Sequence, residues 1–150
     1  MNVTDRPSDS SALCQACGLC CNGVLHAEVV VEAAHVDVVR ALGLTVETFA
    51  DNQVGFRQPC ALFKNECCTV YARRPAPCQT YRCALLRKHE SGDVTLDEAM
   101  SVVRRTKELV LSDAERQAVA TDPGLALRAA ALDVMLNKHF RRKTDAPGRT

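Results

Sequence analysis

The chain has no tryptophan, only two tyrosines (Tyr71 and Tyr81) and only four phenylalanines among its 150 residues. So few aromatic rings leave little for stacking against bases, and a core must rest on Leu, Val and Ala. Charge of one sign is also missing: the formal net charge is +1, which excludes binding to nucleic acid through a strong basic field alone. No apolar run is long enough to span a bilayer. The opening Met1–Ser10 lacks the basic start and apolar stretch of a secretory signal. These absences predict a cytoplasmic protein with no membrane association, a setting in which thiols stay reduced and a disulfide framework is not expected. A chain of this length suits one compact domain with a modest core.

What the sequence does hold is cysteine. There are nine, an odd number that fits complete pairing badly, and they cluster. The first group is Cys14-x-x-Cys17-Gly18-x-Cys20-Cys21, followed by Asn22-Gly23. The second runs Pro59-Cys60, Cys67-Cys68-Thr69-Val70-Tyr71 and Arg74-Pro75-x-x-Cys78, and ends at Cys83. The two-residue gap between Cys14 and Cys17 is that of a metal knuckle, in which a turn aims both sulfurs at one ion, and Gly18 suits a turn with positive φ. Cys20 and Cys21 are adjacent, so their side chains diverge. Either they serve different metals or one of them is not a ligand, which predicts two centres or one polynuclear centre. Eight sulfurs, those of Cys14, Cys17, Cys20, Cys21, Cys60, Cys68, Cys78 and Cys83, suffice for two four-thiolate sites. Four thiolates suit zinc and iron–sulfur alike.

Around the cysteines the pattern predicts an α+β fold, mainly helical. Residues 1–12 read as a disordered leader, 13–140 as a single domain and 141–150 as a basic flexible tail. Within the domain, 13–90 is a metal-stapled loop and hairpin half, and 91–140 a helical half. A loop is expected at 13–24 and a strand within Val24–Val31. A helix over Glu32–Leu42 is predicted to put Ala34, Val38, Ala41 and Leu42 inward, with Gly43 as its cap. Lys64-Asn65-Glu66 is placed to turn a hairpin, and Thr80–Glu90 to form a helix. Thr95-Leu96-Asp97-Glu98 matches a capping box, starting a helix with Leu96, Met100, Val103 and Val110 on one stripe. Asp122-Pro123 begins another helix, running to about Phe140.

The cysteine blocks resemble the CxxCxxCC family, often called YkgJ-like, whose domain is associated with chelation of zinc or iron. Cys14-Gln15-Ala16-Cys17-Gly18-Leu19-Cys20-Cys21 is similar to its opening signature. Pro59-Cys60-Ala61-Leu62-Phe63, Cys68-Thr69-Val70-Tyr71 and Arg74-Pro75-Ala76-Pro77-Cys78 are similar to its later elements. The likeness covers roughly 14–83 and leaves 92–140 outside. It implies that the eight cysteines named above are the metal ligands and that Cys67, which has no counterpart, is the spare thiol. Gln79 stands where the family has Arg, which weakens any role in binding an anion there.

The expected function is a cysteine-rich metal-binding protein, with zinc or iron–sulfur as cofactor and a non-enzymatic structural, sensing or metal-handling role. Some longer relatives of the family are flagellin lysine N-methylases, so the resemblance also implies an iron–sulfur enzyme as an alternative. Against it, no Gly-rich cofactor loop, radical-enzyme Cys-x-x-x-Cys-x-x-Cys spacing or acid–base pair is present. A zinc-ribbon-like adaptor that binds a protein partner through the helical half is a further alternative. Nucleic acid is not an expected partner. His26 follows the first group closely enough to complete a Cys₃His site, but eight thiols already suffice and it is read as a surface or strand histidine. Arg73 and Arg74 are read as local braces.

Overall fold

The computed structural model describes residues 8–143. In chain order its elements are α1 (Asp9–Cys17), β1 (Glu28–Val30), α2 (Val36–Ala41), β2 (Glu47–Thr48), β3 (Val54–Arg57), β4 (Phe63–Lys64), β5 (Cys67–Cys68), α3 (Ala76–Thr80), α4 (Ala84–Glu90), α5 (Leu96–Glu108), α6 (Asp113–Ala118) and α7 (Pro123–His139). The fold is α+β and mainly helical, as the sequence predicts. It divides into two compact units: unit 1 comprises residues 8–17 with Cys83–Lys143, and unit 2 is Gly18–Arg82.

Unit 1 is a packing of helices. α5 lies against α1, α4 and α7, and α6 lies against α7. Its core includes Leu13 of α1, Leu85 and Leu86 of α4, Ala99, Val102 and Val103 of α5, and Leu136 and Phe140 at the end of α7. The inward face of α5 therefore lies one position away from the expected stripe, with Val103 common to both. Thr106 is fully buried there because its hydroxyl donates to the Val102 carbonyl at 2.7 Å. The capping box forms as expected: Glu98 N–H donates to the Thr95 hydroxyl, and Thr95 N–H donates to the Glu98 carboxylate at 2.7 Å. Ser112 and Glu115 make a second capping box, which starts α6. Asp122 caps α7 with Pro123 in its first turn, again as the sequence predicts.

Two expectations for this unit are corrected. Residues 13–17 are not loop but the end of α1, and α1 begins at Asp9, inside the stretch read as a leader. Buried Leu13 holds the helix to the unit. Arg141, assigned to the flexible tail, donates to Asp133 and Asn137, both at 2.8 Å. Residues 1–7 of the leader and 144–150 of the tail lie outside the described residues.

Unit 2 holds a three-stranded antiparallel sheet in the order β1-β3-β2, with Val29 opposite Phe56 and Val30 opposite Gly55. Gly55 is required by close strand approach, since a Cβ there would lie 1.9 Å from the Val29 carbonyl oxygen. Val31, Val39, Leu44 and Phe56 form its buried cluster. The helix expected over Glu32–Leu42 is shorter, a 3-10 turn at Ala33–His35 followed by α2. Its inward residue is Val39, while Val38 is 57% exposed; the initial 3-10 turn rotates the face away from the one a continuous α-helix gives.

Candidate metal centre

The cysteines divide between the units differently from their order along the chain. Unit 1 carries Cys14, Cys17 and Cys83; unit 2 carries Cys20, Cys21, Cys60, Cys67, Cys68 and Cys78. None of the nine is in a disulfide, and all but Cys67 are partly buried.

In unit 1, Cys14 and Cys17 stand three residues apart on α1, so they share one helix face. Cys83 caps α4, its sulfur accepting from the Leu86 N–H at 3.4 Å. Burial raises the Cys83 thiol pKa; the Leu86 amide opposes that shift, and the negative charge of a nearby Cys14 thiolate adds to it. α1 and α4 pack against each other, which brings these two cysteines into range.

In unit 2 the chain after Cys17 turns at Gly18, with φ +64°, and a Cβ there would lie 2.7 Å from the Phe63 ring. Cys60 N–H donates to the Cys21 carbonyl at 2.8 Å, which ties the first signature to the second. β4 and β5 form a hairpin with Phe63 opposite Cys68 and Lys64 opposite Cys67. Asn65 and Glu66 both take positive φ, the signature of the two-residue hairpin loop. Strand alternation then separates the adjacent thiols: Cys68 turns inward, and Cys67 is exposed with its sulfur donating to the Cys68 carbonyl at 3.7 Å.

Burial raises the Cys60 thiol pKa as well. The Leu62 and Phe63 amides oppose the shift, and a Cys68 thiolate close by adds to it. Cys60 and Cys78 both pack on the buried cluster of Val31, Val39, Leu44 and Phe56. The loop carrying Cys78 is braced by Arg74, which donates to the Tyr71 carbonyl at 2.9 Å and the Cys78 carbonyl at 3.1 Å. Its guanidinium also stacks 3.8 Å over the Tyr71 ring. Gln79, in the position noted above, donates to the Arg74 carbonyl at 2.6 Å. His26 packs edge-on against Tyr81 with ring centroids 4.7 Å apart.

Among the described residues, no three His, Cys, Asp or Glu side chains stand close enough to grip an ion as they lie. Within unit 1 the charge of Cys14 acts on Cys83, and within unit 2 that of Cys68 acts on Cys60, with amide N–H groups aimed at Cys83 and Cys60. That donor set fits zinc or iron: soft sulfur ligands, partly sheltered from water, with hydrogen-bond donors that stabilise thiolate. Oxygen-seeking cations such as Ca²⁺ or Mg²⁺ do not match it.

Among the described residues, no helix is long and apolar enough to cross a membrane. No curated protein and no solved structure matches the chain. One family model does, over residues 13–107. Its range reaches beyond the 14–83 legible as motif and takes in most of α5, the helix on which α1 and α4 rest. This places part of the helical half inside the family domain, because α5 supports the elements that carry Cys14, Cys17 and Cys83. With the opening signature at Cys14–Cys21 and a match over well more than half its length, the chain belongs to the CxxCxxCC family, "Putative zinc- or iron-chelating domain".

Proposed function

We propose that the protein binds zinc or iron through Cys14, Cys17, Cys20, Cys21, Cys60, Cys68, Cys78 and Cys83, in a non-enzymatic structural, sensing or metal-handling role. The observation that carries this reading is the pairing of partly buried thiols within each unit, Cys14 with Cys83 and Cys60 with Cys68. Two thiolates held close repel each other, and a divalent cation turns that repulsion into attraction. Three of the proposed ligands stand on unit 1 and five on unit 2. The chain's contribution is to present sulfur at the end of α1, at the cap of α4 and on the β4–β5 hairpin, and to aim backbone N–H groups at Cys60 and Cys83. When bound, the metal supplies cross-linking free energy to a chain poor in large aromatic side chains. Cytoplasmic placement belongs to the same reading, because these thiols must stay reduced to bind.

Purification in air and under anaerobic conditions, with metal analysis and a visible spectrum, tests this. Colourless protein with about two zinc ions per chain identifies zinc and removes the iron–sulfur enzyme. Brown protein with iron and acid-labile sulfide identifies a cluster. Protein that holds neither metal under either condition contradicts the proposal.

A further inference from the structure

The end of α1 receives its positive charge from another helix. Cys14 and Cys17 both lie in the last turn of α1. Backbone carbonyls there have no donor within the helix, and the helix dipole presents its negative end. A thiolate in that turn therefore faces like charge, whereas the sulfur of Cys83 has the Leu86 amide donating to it. The last turn of α1 contains no basic residue of its own. Lys107, in the last turn of α5, supplies one. Its ammonium donates to the Ala16 carbonyl at 3.2 Å, a contact between residues 91 positions apart. Lysine is ordinarily exposed, yet Lys107 is half-buried. α5 packs against α1, so the charge reaches α1 on a helix already seated there.

On the reading that Cys14 and Cys17 are metal ligands, we propose that Lys107 is a positioning residue for metal binding in unit 1. It holds the end of α1 and sets a positive charge at the residue before Cys17. Metal binding takes the protons from the thiols. Deprotonated, the cysteines of unit 1 (Cys14, Cys17 and Cys83) bring three negative charges, and a divalent ion offsets two of them. One ammonium balances the remainder. The charge of Lys107 thus favours the metal-bound state over the metal-free state, in which the thiols keep their protons. A lysine that merely satisfied the Ala16 carbonyl would act on both states alike.

Binding of zinc, and of ferrous iron without air, to the reduced, metal-free full chain tests this role, measured in competition with a chromophoric chelator. Lys107→Met keeps the length of the side chain and loses the charge, and metal affinity should fall about tenfold. Lys107→Gln, which keeps an N–H donor without the charge, should lose affinity in the same way. Lys107→Arg keeps the charge and should recover most of the loss. Arg104→Met removes a charge from an exposed position of the same helix and should bind metal as the parent does. When chelator strips the metal, Cys14 and Cys17 should be alkylated earlier in Lys107→Met than in the parent, read residue by residue by mass spectrometry.

Parent-level affinity in Lys107→Met or Lys107→Gln overturns the proposal and leaves the cysteines as ligands. So does an equal fall in Lys107→Arg or in Arg104→Met, since the charge at this one position would not then be the cause. A parent chain that binds neither zinc nor iron overturns the proposed function, and the role of Lys107 with it.

Discussion

Gly18 and Phe63 are fitted to each other: the Phe63 ring occupies the space where a Cβ on Gly18 would stand, 2.7 Å from its Cζ. The turn that follows Cys17 and the strand that faces Cys68 are thereby held in one arrangement. Gly18→Ala suffers twice, from positive φ and from the ring. It should destabilise the protein by about 2 kcal/mol, read from the midpoint of urea unfolding. Gly43 also has positive φ, at +94°, but nothing stands within 4 Å of its Cβ position. Gly43→Ala should lose only the smaller backbone term, and Phe63→Leu should relieve part of the Gly18→Ala loss. Equal losses at the two glycines would show that the ring contact is not what constrains the turn.

Arg74 braces the Cys78 loop through two backbone carbonyls and the Tyr71 ring. Lysine keeps the charge but cannot reach both carbonyls while stacking. Arg74→Lys should cost about 1–2 kcal/mol of stability, and metal should be lost to a competing chelator faster than from the parent. Unchanged release would mean that the brace does not position Cys78 for the metal.

Two groups of unit 1 give stability a pH dependence. The Thr95 N–H, and then its hydroxyl, hold the Glu98 carboxyl below its ordinary value of 4.5. A depressed carboxyl favours the folded state above the unfolded pKa, and that stability is lost as pH falls through the folded value. Glu98→Gln should flatten the acid limb of a melting-temperature profile. Thr95→Ala should cost about 1 kcal/mol near neutral pH.

Burial, and then the charges of Lys138, Lys88 and Arg105, depress His139 below its ordinary 6.5. The unfolded chain takes up that proton first, so stability is full above pH 6.5 and falls as pH drops from there through the folded pKa. His139→Gln should remove this decline while leaving the Glu98 limb in place. A parent profile that is flat between the two limbs would contradict the assignment of His139.

The features most legible in the sequence were those set by local chemistry. Thr95 with Glu98, Asp122 with Pro123, and the Lys64-Asn65-Glu66 turn each satisfy or bend the backbone within a few residues, so type and spacing suffice to find them. Ser112 with Glu115 carries the same signal and starts α6, which is only six residues long. Cys14 and Cys17 read as a knuckle in a loop, whereas buried Leu13 and packing on α5 make that segment helical. The inward faces of α2 and α5 were misplaced by one position, an error that tertiary contacts correct and periodicity cannot. The eight cysteines proposed as ligands are legible as a motif. The division that joins Cys83 to Cys14 and Cys17 in unit 1 depends on the packing of α1 against α4, which no local spacing encodes.

In the proposed function the inward cysteines hold metal while Cys67, exposed and opposite Lys64, does not. This is tested most directly by metal content per chain in the parent and in the Cys67→Ser and Cys68→Ser variants, purified identically. Metal content should be unchanged in Cys67→Ser and clearly lower in Cys68→Ser. Loss from Cys67→Ser with retention in Cys68→Ser, or no bound zinc or iron in the parent, would contradict it.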